Sequence, residues 1–264
     1  MKTIGILGCG WLGLHLSQHL LQTNYIVKGS TTSPSKLDEL KAQGIDPYLV
    51  DLQHPNDDEI NAFLSNIEVL VITIPPIRGE ESTLYQTSFK RLIPYLIQNK
   101  VKKVMMMSSV SVYEPSETVI TESSTAYSQD PTSKQIVEAE EVLQSTRELT
   151  SYILRLGGLF GPDRKPVRYI VNRGILDNPA MPINMIHLND IIQFTTALLG
   201  GSFTTNEVYN LVSPHYKDRF DYYSREAEEL GLTLPPLGAN DDKTHRKIEG
   251  TKIALQTGIA YQKI

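Results

Sequence analysis

The stretch that decides the fold is Thr3-Ile4-Gly5-Ile6-Leu7-Gly8-Cys9-Gly10-Trp11-Leu12-Gly13. It opens with an apolar run typical of a buried strand and continues into a segment with helical periodicity. The glycines between them have the spacing G-x-G-x-x-G, which is informative when it joins a strand to a helix. The first glycine permits a tight turn, the second lets the backbone approach a pyrophosphate, and the third lets helix and strand pack closely. The stretch predicts a dinucleotide-binding turn, and the alternative is a glycine-rich turn that holds no ligand.

The first 156 residues alternate apolar strand candidates with helical segments. Predicted strands cover residues 3–7, 25–30, 46–50, 69–74, 103–108 and 151–156, and predicted helices cover 11–22, 34–43, 84–100 and 131–145. Continuous apolar runs such as 69–72 are typical of a parallel sheet that is covered on both faces. Strands and helices that alternate with short connections form right-handed βαβ units. The sequence therefore predicts an α/β fold with a doubly wound, Rossmann-type parallel sheet.

The alternation of predicted strands and helices ends after residue 156, where glycine and proline become frequent. A helix is predicted at 188–199, a strand at 207–212 and a helix from about 218 to 230, followed by a basic stretch with Lys243, His245, Arg246 and Lys247. We expect an NAD(P)-binding domain over residues 1–156, also including about 183–200. Residues 157–264 are expected to form a small α/β cap that binds substrate.

Composition narrows the function classes. The chain has 25 basic and 30 acidic residues, a net charge of −5 and a sequence pI near 5.7, which argues against binding of nucleic acid. No apolar run is long enough to cross a bilayer. The single cysteine, Cys9, leaves no intrachain disulfide and fits a reducing compartment, so we expect a cytoplasmic protein. No His, Asp or Glu cluster has metal-ligand spacing, and no metal is expected.

The end of the second strand bears on the choice of dinucleotide. It is Lys28-Gly29-Ser30-Thr31-Thr32-Ser33, and the next acid is Asp38. A site for NAD usually has Asp or Glu here for the ribose 2′-hydroxyl. Hydroxyl groups with Lys28 and Lys36 nearby suit a 2′-phosphate, so NADP is favoured and NAD stays possible; the alternative is an ordinary Ser/Thr turn before a helix at Pro34. Candidate cofactor contacts are Gly8, Gly10, Trp11, Leu12, Gly13, Ser30, Thr31, Thr32, Asp51, Leu52, Ile74 and Pro75.

Later segments carry a family resemblance. They are Ser108-Ser109-Val110-Ser111-Val112-Tyr113, Arg155-Leu156-Gly157-Gly158-Leu159-Phe160-Gly161-Pro162, Ile186-His187-Leu188-Asn189-Asp190-Ile191 and Val208-Tyr209-Asn210-Leu211. With the glycine turn, they resemble the extended short-chain dehydrogenase/reductase superfamily of the NAD-dependent epimerase/dehydratase type. The short chain is most similar to small, atypical bacterial members. The resemblance implies a nicotinamide cofactor but fixes no substrate.

The resemblance also implies a catalytic set of Ser or Thr, Tyr and Lys, with Tyr and Lys spaced Y-x-x-x-K. Ser109 and Lys134 match, and the resemblance gives Lys134 a second role on the nicotinamide ribose. Asp130 stands where the tyrosine is expected, and Asp130-Pro131 is typical of a helix start. An ionised carboxylate would repel a developing alkoxide instead of donating a proton. Tyr127 and Tyr113 are the candidate replacements, and for each the alternative is a packing residue.

Two functions remain open on this basis. The first is an NAD(P)-dependent oxidoreductase or epimerase that acts on a small carbonyl or sugar-like substrate by hydride transfer. The second is a non-catalytic NADP(H)-binding redox sensor or regulator, suggested by an intact glycine turn beside an incomplete catalytic set. For either, we expect a small-molecule ligand, no nucleic acid or membrane partner, and a monomer or homodimer.

Overall fold

A parallel sheet organises the chain, as predicted. The computed structural model describes residues 1–76, 83–202, 204–215, 217–241 and 246–262, so Lys243 and His245 lie outside the described residues. Seven strands form the main sheet in the order β3-β2-β1-β4-β5-β6-β9, and all six neighbouring pairs are parallel. The strands are β1 Thr3–Leu7, β2 Ile26–Thr31, β3 Asp46–Leu49, β4 Val69–Ile72, β5 Lys103–Ser109, β6 Thr150–Leu156 and β9 Glu207–Leu211.

Helices cover both faces of this sheet. They are α1 Trp11–Gln22, α2 Leu37–Ala42, α3 Asp57–Leu64, α4 Leu84–Gln98, α5 Pro131–Ser145, α7 Leu188–Gly200 and α9 Thr251–Thr257. Two further helices, α6 Val167–Arg173 and α8 Arg219–Glu229, pack in a separate core. One hydrophobic core joins β1 and β4 to α1, α7 and α9, and a second lies under α3, α4 and α5. Successive residues of β4 alternate between the two cores, which is why its sequence is apolar throughout. The doubly wound α/β fold is confirmed.

The sheet order reverses between β1 and β4. The chain first builds outward through β2 and β3, then α3 returns it to the other side of β1. In open α/β sheets, ligands bind outside the carboxyl ends of the strands at such a switch point. Here that point lies between Gly8 and the residues that follow Ile72. Among the described residues, we find no helix with the length and apolar character that a membrane crossing needs.

The cap is smaller than the expected span of 157–264. Strand β9 is the seventh strand of the main sheet, and α7 and α9 pack in its core with residues such as Ile191, Tyr209 and Ile253. The cap proper has a core of its own, made by α6, α8 and the two-stranded sheet of β7 Gly158–Phe160 and β8 Met185–His187. The assignment of 157–264 to the cap is therefore corrected, because the chain crosses back to the sheet after β8.

Some elements were missed from the sequence. These are α3, α6, α9 and β7, which are short and surrounded by turn residues. The predicted bounds of β1, α1 and α5 are confirmed, whereas β4 ends at Ile72, two residues before the predicted end. The early end of β4 matters for the site, because residues 73–75 leave the strand and turn over the glycine loop.

Candidate cofactor and substrate site

The glycine loop after β1 has the geometry of a phosphate-binding turn. Gly8 adopts φ +101°, a backbone conformation that favours glycine. A Cβ atom at Gly13 would lie 2.3 Å from the Gly8 carbonyl oxygen, so only glycine lets α1 pack this closely on β1. A Cβ at Gly10 would meet no atom within 4 Å and would project into open space at the start of α1. The three glycines therefore have the backbone geometry that the three predicted roles require.

The first turn of α1 offers free backbone donors at the mouth of this loop. Gly10 is the N-cap of α1 and has no side chain to accept the N–H groups of the first turn. A helix N-terminus of this kind attracts anions through its N–H groups and its dipole. No acidic residue lies in the first turn. The residues present fit a pyrophosphate, because the loop is open at Gly10 and the first turn of α1 has neither a capping side chain nor an acid.

Residues at the end of β2 fix the loop from the other side. The Ser30 hydroxyl accepts a hydrogen bond from the Gly8 N–H at 2.9 Å, and the Ser30 carbonyl accepts one from the Cys9 N–H at 2.7 Å. The Thr31 hydroxyl accepts from the Ser33 N–H at 3.1 Å and shapes the following turn. Ser30 is buried and supports the loop, while Thr32, Ser33 and Lys36 line the open crevice beside it.

The third wall of the crevice follows β3. Asp51 accepts hydrogen bonds from the Gln53 N–H at 2.8 Å and contacts His54 Nδ1 at 3.1 Å. Burial alone would raise the pKa of Asp51, but these hydrogen bonds outweigh it and hold the pKa below its usual range. Arg91 of α4 donates to the carbonyls of Leu52 and Gln53 at 3.2 and 2.9 Å and fixes the loop from behind.

The fourth wall comes from the residues after β4. Thr73 donates its hydroxyl hydrogen bond to the Gly8 carbonyl at 2.6 Å and ties this segment to the glycine loop. The buried Tyr85 of α4 donates to the Ile74 carbonyl at 3.1 Å and holds Ile74 and Pro75 over the crevice.

These walls enclose a crevice of about 300 Å³. Nine of the predicted cofactor contacts line it together: Gly8, Gly10, Ser30, Thr31, Thr32, Asp51, Leu52, Ile74 and Pro75. Leu12 and Gly13 do not line it, because Leu12 is buried in the core and Gly13 packs on Gly8. Lys36, named in the sequence as a partner for a 2′-phosphate, also lines the crevice, and the structure adds residues such as Cys9, Ser33, Gln53, Thr73 and Tyr85. Lys36 could be predicted as a lining residue because it is basic and lies near the end of β2, whereas no sequence pattern indicated Thr73 or Tyr85.

Trp11 is directed toward the cap and is not part of the crevice lining. Its indole N–H donates to Asp163 at 2.9 Å, and the Arg164 guanidinium lies 5.1 Å from its ring. A Cβ atom at Gly161 would lie 3.2 Å from the indole, so glycine is needed there for close contact. The side chain of the first residue of the phosphate-binding helix thus connects that helix to the loop that opens the cap.

Lys28 is not available to a cofactor phosphate. Its ammonium donates to the carbonyls of Ala62 and Ser65 at the end of α3, at 2.7 and 3.0 Å, and lies over the Tyr48 ring. Desolvation lowers its pKa, and Asp46 counteracts part of this effect. Of the two lysines expected near a 2′-phosphate, only Lys36 lines the crevice. Lys28 instead donates to carbonyls at the end of α3, a helix that the sequence did not predict.

The predicted catalytic serine lies at the end of β5. Ser109 is partly exposed, and its hydroxyl accepts the Ser111 N–H at 3.1 Å, which caps the short turn Val110–Val112. Ser108, its neighbour, points to the opposite face and donates to the buried Glu140. Lys134 is exposed on the first turns of α5. Asp130 is the N-cap of that helix and accepts from Thr132 and Ser133 at 3.0 and 3.1 Å, as its sequence context predicted.

The two candidate tyrosines have different surroundings. Tyr113 is fully buried, accepts from Arg155 at 2.7 Å and donates to Asn210 at 2.8 Å. Because its one proton is committed to Asn210, Tyr113 has no proton for a substrate, and its placement matches the packing alternative. Tyr127 is partly exposed, and its oxygen accepts from the same Arg155 at 3.3 Å. Arg155 is in turn paired with Glu140 at 2.6 Å in the interior.

Comparison with known proteins agrees with this geometry. A family profile described as NAD(P)H-binding matches residues 8–199. The chain belongs to this NAD(P)H-binding family. Protein YeeZ of Escherichia coli (strain K12) is 29% identical over 99% of this chain and 96% of its own length.

Solved structures share the fold at low identity. A functionally unknown conserved protein from Silicibacter pomeroyi matches with a TM-score of 0.79 and 22% identity over 98% of this chain and 93% of its own. UDP-glucose 4-epimerase from Bifidobacterium longum, in complex with NAD⁺ and UDP, matches with a TM-score of 0.81 and 18% identity over 100% and 94%. The resemblance found in the sequence motifs is confirmed for the NAD(P)-binding family and for the fold.

Two adjoining cavities of this NAD(P)H-binding protein are lined mainly by residues of the cap. One of about 390 Å³ and one of about 540 Å³ share Gly158, Met185 and Tyr223 as lining residues. Their basic side chains are Arg164, Lys165, Arg219 and Arg246, and among the described residues no acid lines either cavity. The cap has no local sequence motif for this cluster, because these side chains come from separate segments that only the fold brings together.

Proposed function

We propose that this chain is an NAD(P)-dependent oxidoreductase of the epimerase or dehydratase type that acts on a small carbonyl or sugar-like substrate. One observation carries the proposal: the crevice and the cap cavities each include a residue that follows the carboxyl end of a strand of the main sheet. Gly8 follows β1 in the crevice, and Gly158 follows β6 in the cavities. A substrate in the cap would therefore lie on the same edge as the cofactor.

NADP is the proposed cofactor, with NAD as the alternative. Support comes from Thr32, Ser33 and Lys36, which line the crevice where a 2′-phosphate would need hydroxyl donors and positive charge. Gly10 and the first turn of α1 would hold the pyrophosphate. A bound nicotinamide supplies the redox chemistry, because it gives or takes a hydride.

The chain's own residues would bind and orient the substrate and move the proton. Lys134 is proposed for the ribose hydroxyls, and Ser109 for orienting the substrate oxygen, since its hydroxyl hydrogen has no acceptor among the described residues. Tyr127 is the proposed proton donor. Its oxygen receives a hydrogen bond from the cationic Arg155, an arrangement that stabilises negative charge on that oxygen as the proton leaves.

The proposed setting is the cytoplasm, as a monomer or homodimer with a small-molecule substrate. Support for a reducing compartment is the single cysteine, Cys9, which is buried.

A specific observation favours the second candidate, a non-catalytic NADP(H)-binding sensor. Asp130 accepts the hydrogen bonds of a helix N-cap, and the buried Tyr113 donates its proton to Asn210. Two of the three side chains considered as proton donors therefore form other hydrogen bonds. Oxidoreductase function then depends on Tyr127 alone. A sensor would bind NADP(H) and discriminate its redox states without turnover.

The experiment that tests the proposal is NADPH oxidation with a panel of small aldehydes, ketones and sugar derivatives. We expect turnover with at least one member, and a loss of about a hundredfold in kcat for Tyr127→Phe and for Ser109→Ala with unchanged NADPH affinity. Tyr25→Phe, which changes a tyrosine before β2 at the other end of the sheet, is the matched control and should keep full activity. Full turnover in both site variants would refute the assigned roles, and tight NADPH binding without turnover would favour the sensor.

A further inference from the structure

Two arginines of the cap cavities stand out because neither has a carboxylate at ion-pair distance among the described residues. Arg219 begins α8, and Arg246 follows it by 27 positions in the chain, yet both line the cavity of about 390 Å³. Unpaired guanidinium groups at a cavity wall are costly without a ligand, in a protein whose net charge is −5.

Among the described residues, the terminal nitrogens of both arginines form no hydrogen bond. Arg219 Nε donates to the Asp177 carbonyl at 3.0 Å, and its guanidinium lies 5.6 Å from the Tyr223 ring. The backbone of Arg246 is fixed by Asn184, whose amide donates to the Arg246 carbonyl at 2.8 Å. Arg246 Nε is buried and has no hydrogen-bond partner among the described residues. These contacts orient the Arg219 guanidinium and hold the Arg246 backbone, and within the described part of the chain they leave donors of both guanidinium groups without an acceptor.

Arg246 also lies within electrostatic reach of the segment that should carry the chemistry. Burial lowers its pKa, and the carboxylates of Glu114 and Asp130 counteract part of this effect. Asp130 caps the helix that carries Lys134. The charge of Arg246 therefore interacts with a carboxylate at the start of α5.

We propose that Arg219 and Arg246 form an oxyanion clamp, and that the substrate is a small carbonyl compound that itself carries a carboxylate or phosphate group. That the ligand is a substrate rests on the proposed function, whereas anion binding by the two arginines rests on the cavity alone. Guanidinium groups bind both oxyanions through paired N–H donors. A cavity of about 390 Å³ is large enough for a small carboxylic acid or phosphate ester.

The test is titration of NADP⁺-saturated protein, followed by calorimetry, with malonate, inorganic phosphate, UDP and the uncharged malonamide. We expect malonate or phosphate to bind and malonamide not to bind. The stronger of the two anions identifies the group as planar or tetrahedral. Arg219→Gln and Arg246→Gln should each weaken binding by about tenfold or more. Arg168→Gln, which removes an exposed arginine of α6 outside the cavities, is the charge-matched control and should bind as the parent does.

The outcomes are separable from those of the oxidoreductase assay. Anion binding that depends on both arginines supports the clamp even if no substrate is turned over. No binding of either anion, or binding that is equal in all variants, overturns it. Binding of UDP more than about tenfold tighter than both small anions overturns the small-acid assignment. Arg246→Lys guards against a folding defect: it keeps the charge but loses the paired donors, so it should fold normally and still bind malonate more weakly than the parent.

Discussion

At the scale of single residues, Lys36 is the side chain that should distinguish the two dinucleotides. It is the basic residue that lines the crevice beside Thr32 and Ser33, while Lys28 is held by α3. A 2′-phosphate next to Lys36 would gain a charge-assisted interaction that a 2′-hydroxyl cannot form.

We therefore predict that Lys36→Met weakens NADPH binding by about tenfold and leaves NADH binding unchanged. The measurement is the dissociation constant of each cofactor at low ionic strength. Lys41→Met, on the neighbouring helix α2 and outside the crevice lining, is the control. Equal losses for both cofactors would contradict a role at the 2′ position.

Cys9 gives a second prediction at this scale. Burial raises the pKa of its thiol to about 11, and the hydrogen bond with Ser17 counteracts this only in part. Below that pKa the thiol is protonated, and the thiolate is the reactive form. At pH 8 we expect alkylation by iodoacetamide to be about a hundredfold slower than for a free cysteine, with a rate that rises up to about pH 11. Rapid labelling at pH 8 would show that Cys9 is accessible and ionised.

At the scale of elements, the interior pair between Arg155 of β6 and Glu140 of α5 connects the helix to the sheet. Glu140 accepts from Arg155 at 2.6 Å and also from Ser108 of β5, and both members of the pair are 2% exposed. The pair holds the end of β5, which carries Ser109, against the helix that carries Lys134. It therefore positions two of the proposed functional side chains without contacting ligand.

We predict that Glu140→Gln lowers the free energy of unfolding by about 3 kcal/mol, because it leaves the Arg155 charge buried without a counter-charge. Urea denaturation measures the effect. Glu141→Gln, an exposed neighbour on the same helix, should change stability by less than about 0.5 kcal/mol. A similar small change in both variants would mean that the interior pair contributes little.

At the scale of the whole molecule, local signals predicted the sheet and the cofactor crevice. The bounds of α1 and α5 follow from residues next to them, Gly10 and Asp130-Pro131, and the crevice follows from strand ends that a parallel sheet must bring to one edge. Helix α3 was missed although Asn56 caps it and three acids occupy its first turn, because eight residues give a weak periodic signal.

Contacts between segments that are distant in the chain could not be predicted from the sequence. Tyr113 meets Arg155 across 42 positions and Asn210 across 97, so its buried hydrogen bonds could not be inferred from its place after β5. The same holds for Arg219 and Arg246, whose shared cavity depends on how the cap folds back on the sheet.

The most direct test of the account is titration of the protein with NADPH, followed through the fluorescence of Trp11. This residue is the single tryptophan of the chain and begins the helix that follows the glycine loop. We predict a saturable change that Gly10→Asp abolishes, because its carboxylate would project into the open space where the pyrophosphate approaches. Circular dichroism should show an unchanged fold, since a side chain at position 10 meets no atom within 4 Å at its Cβ. No saturable change in the parent, or the same affinity in Gly10→Asp, would contradict dinucleotide binding in this crevice.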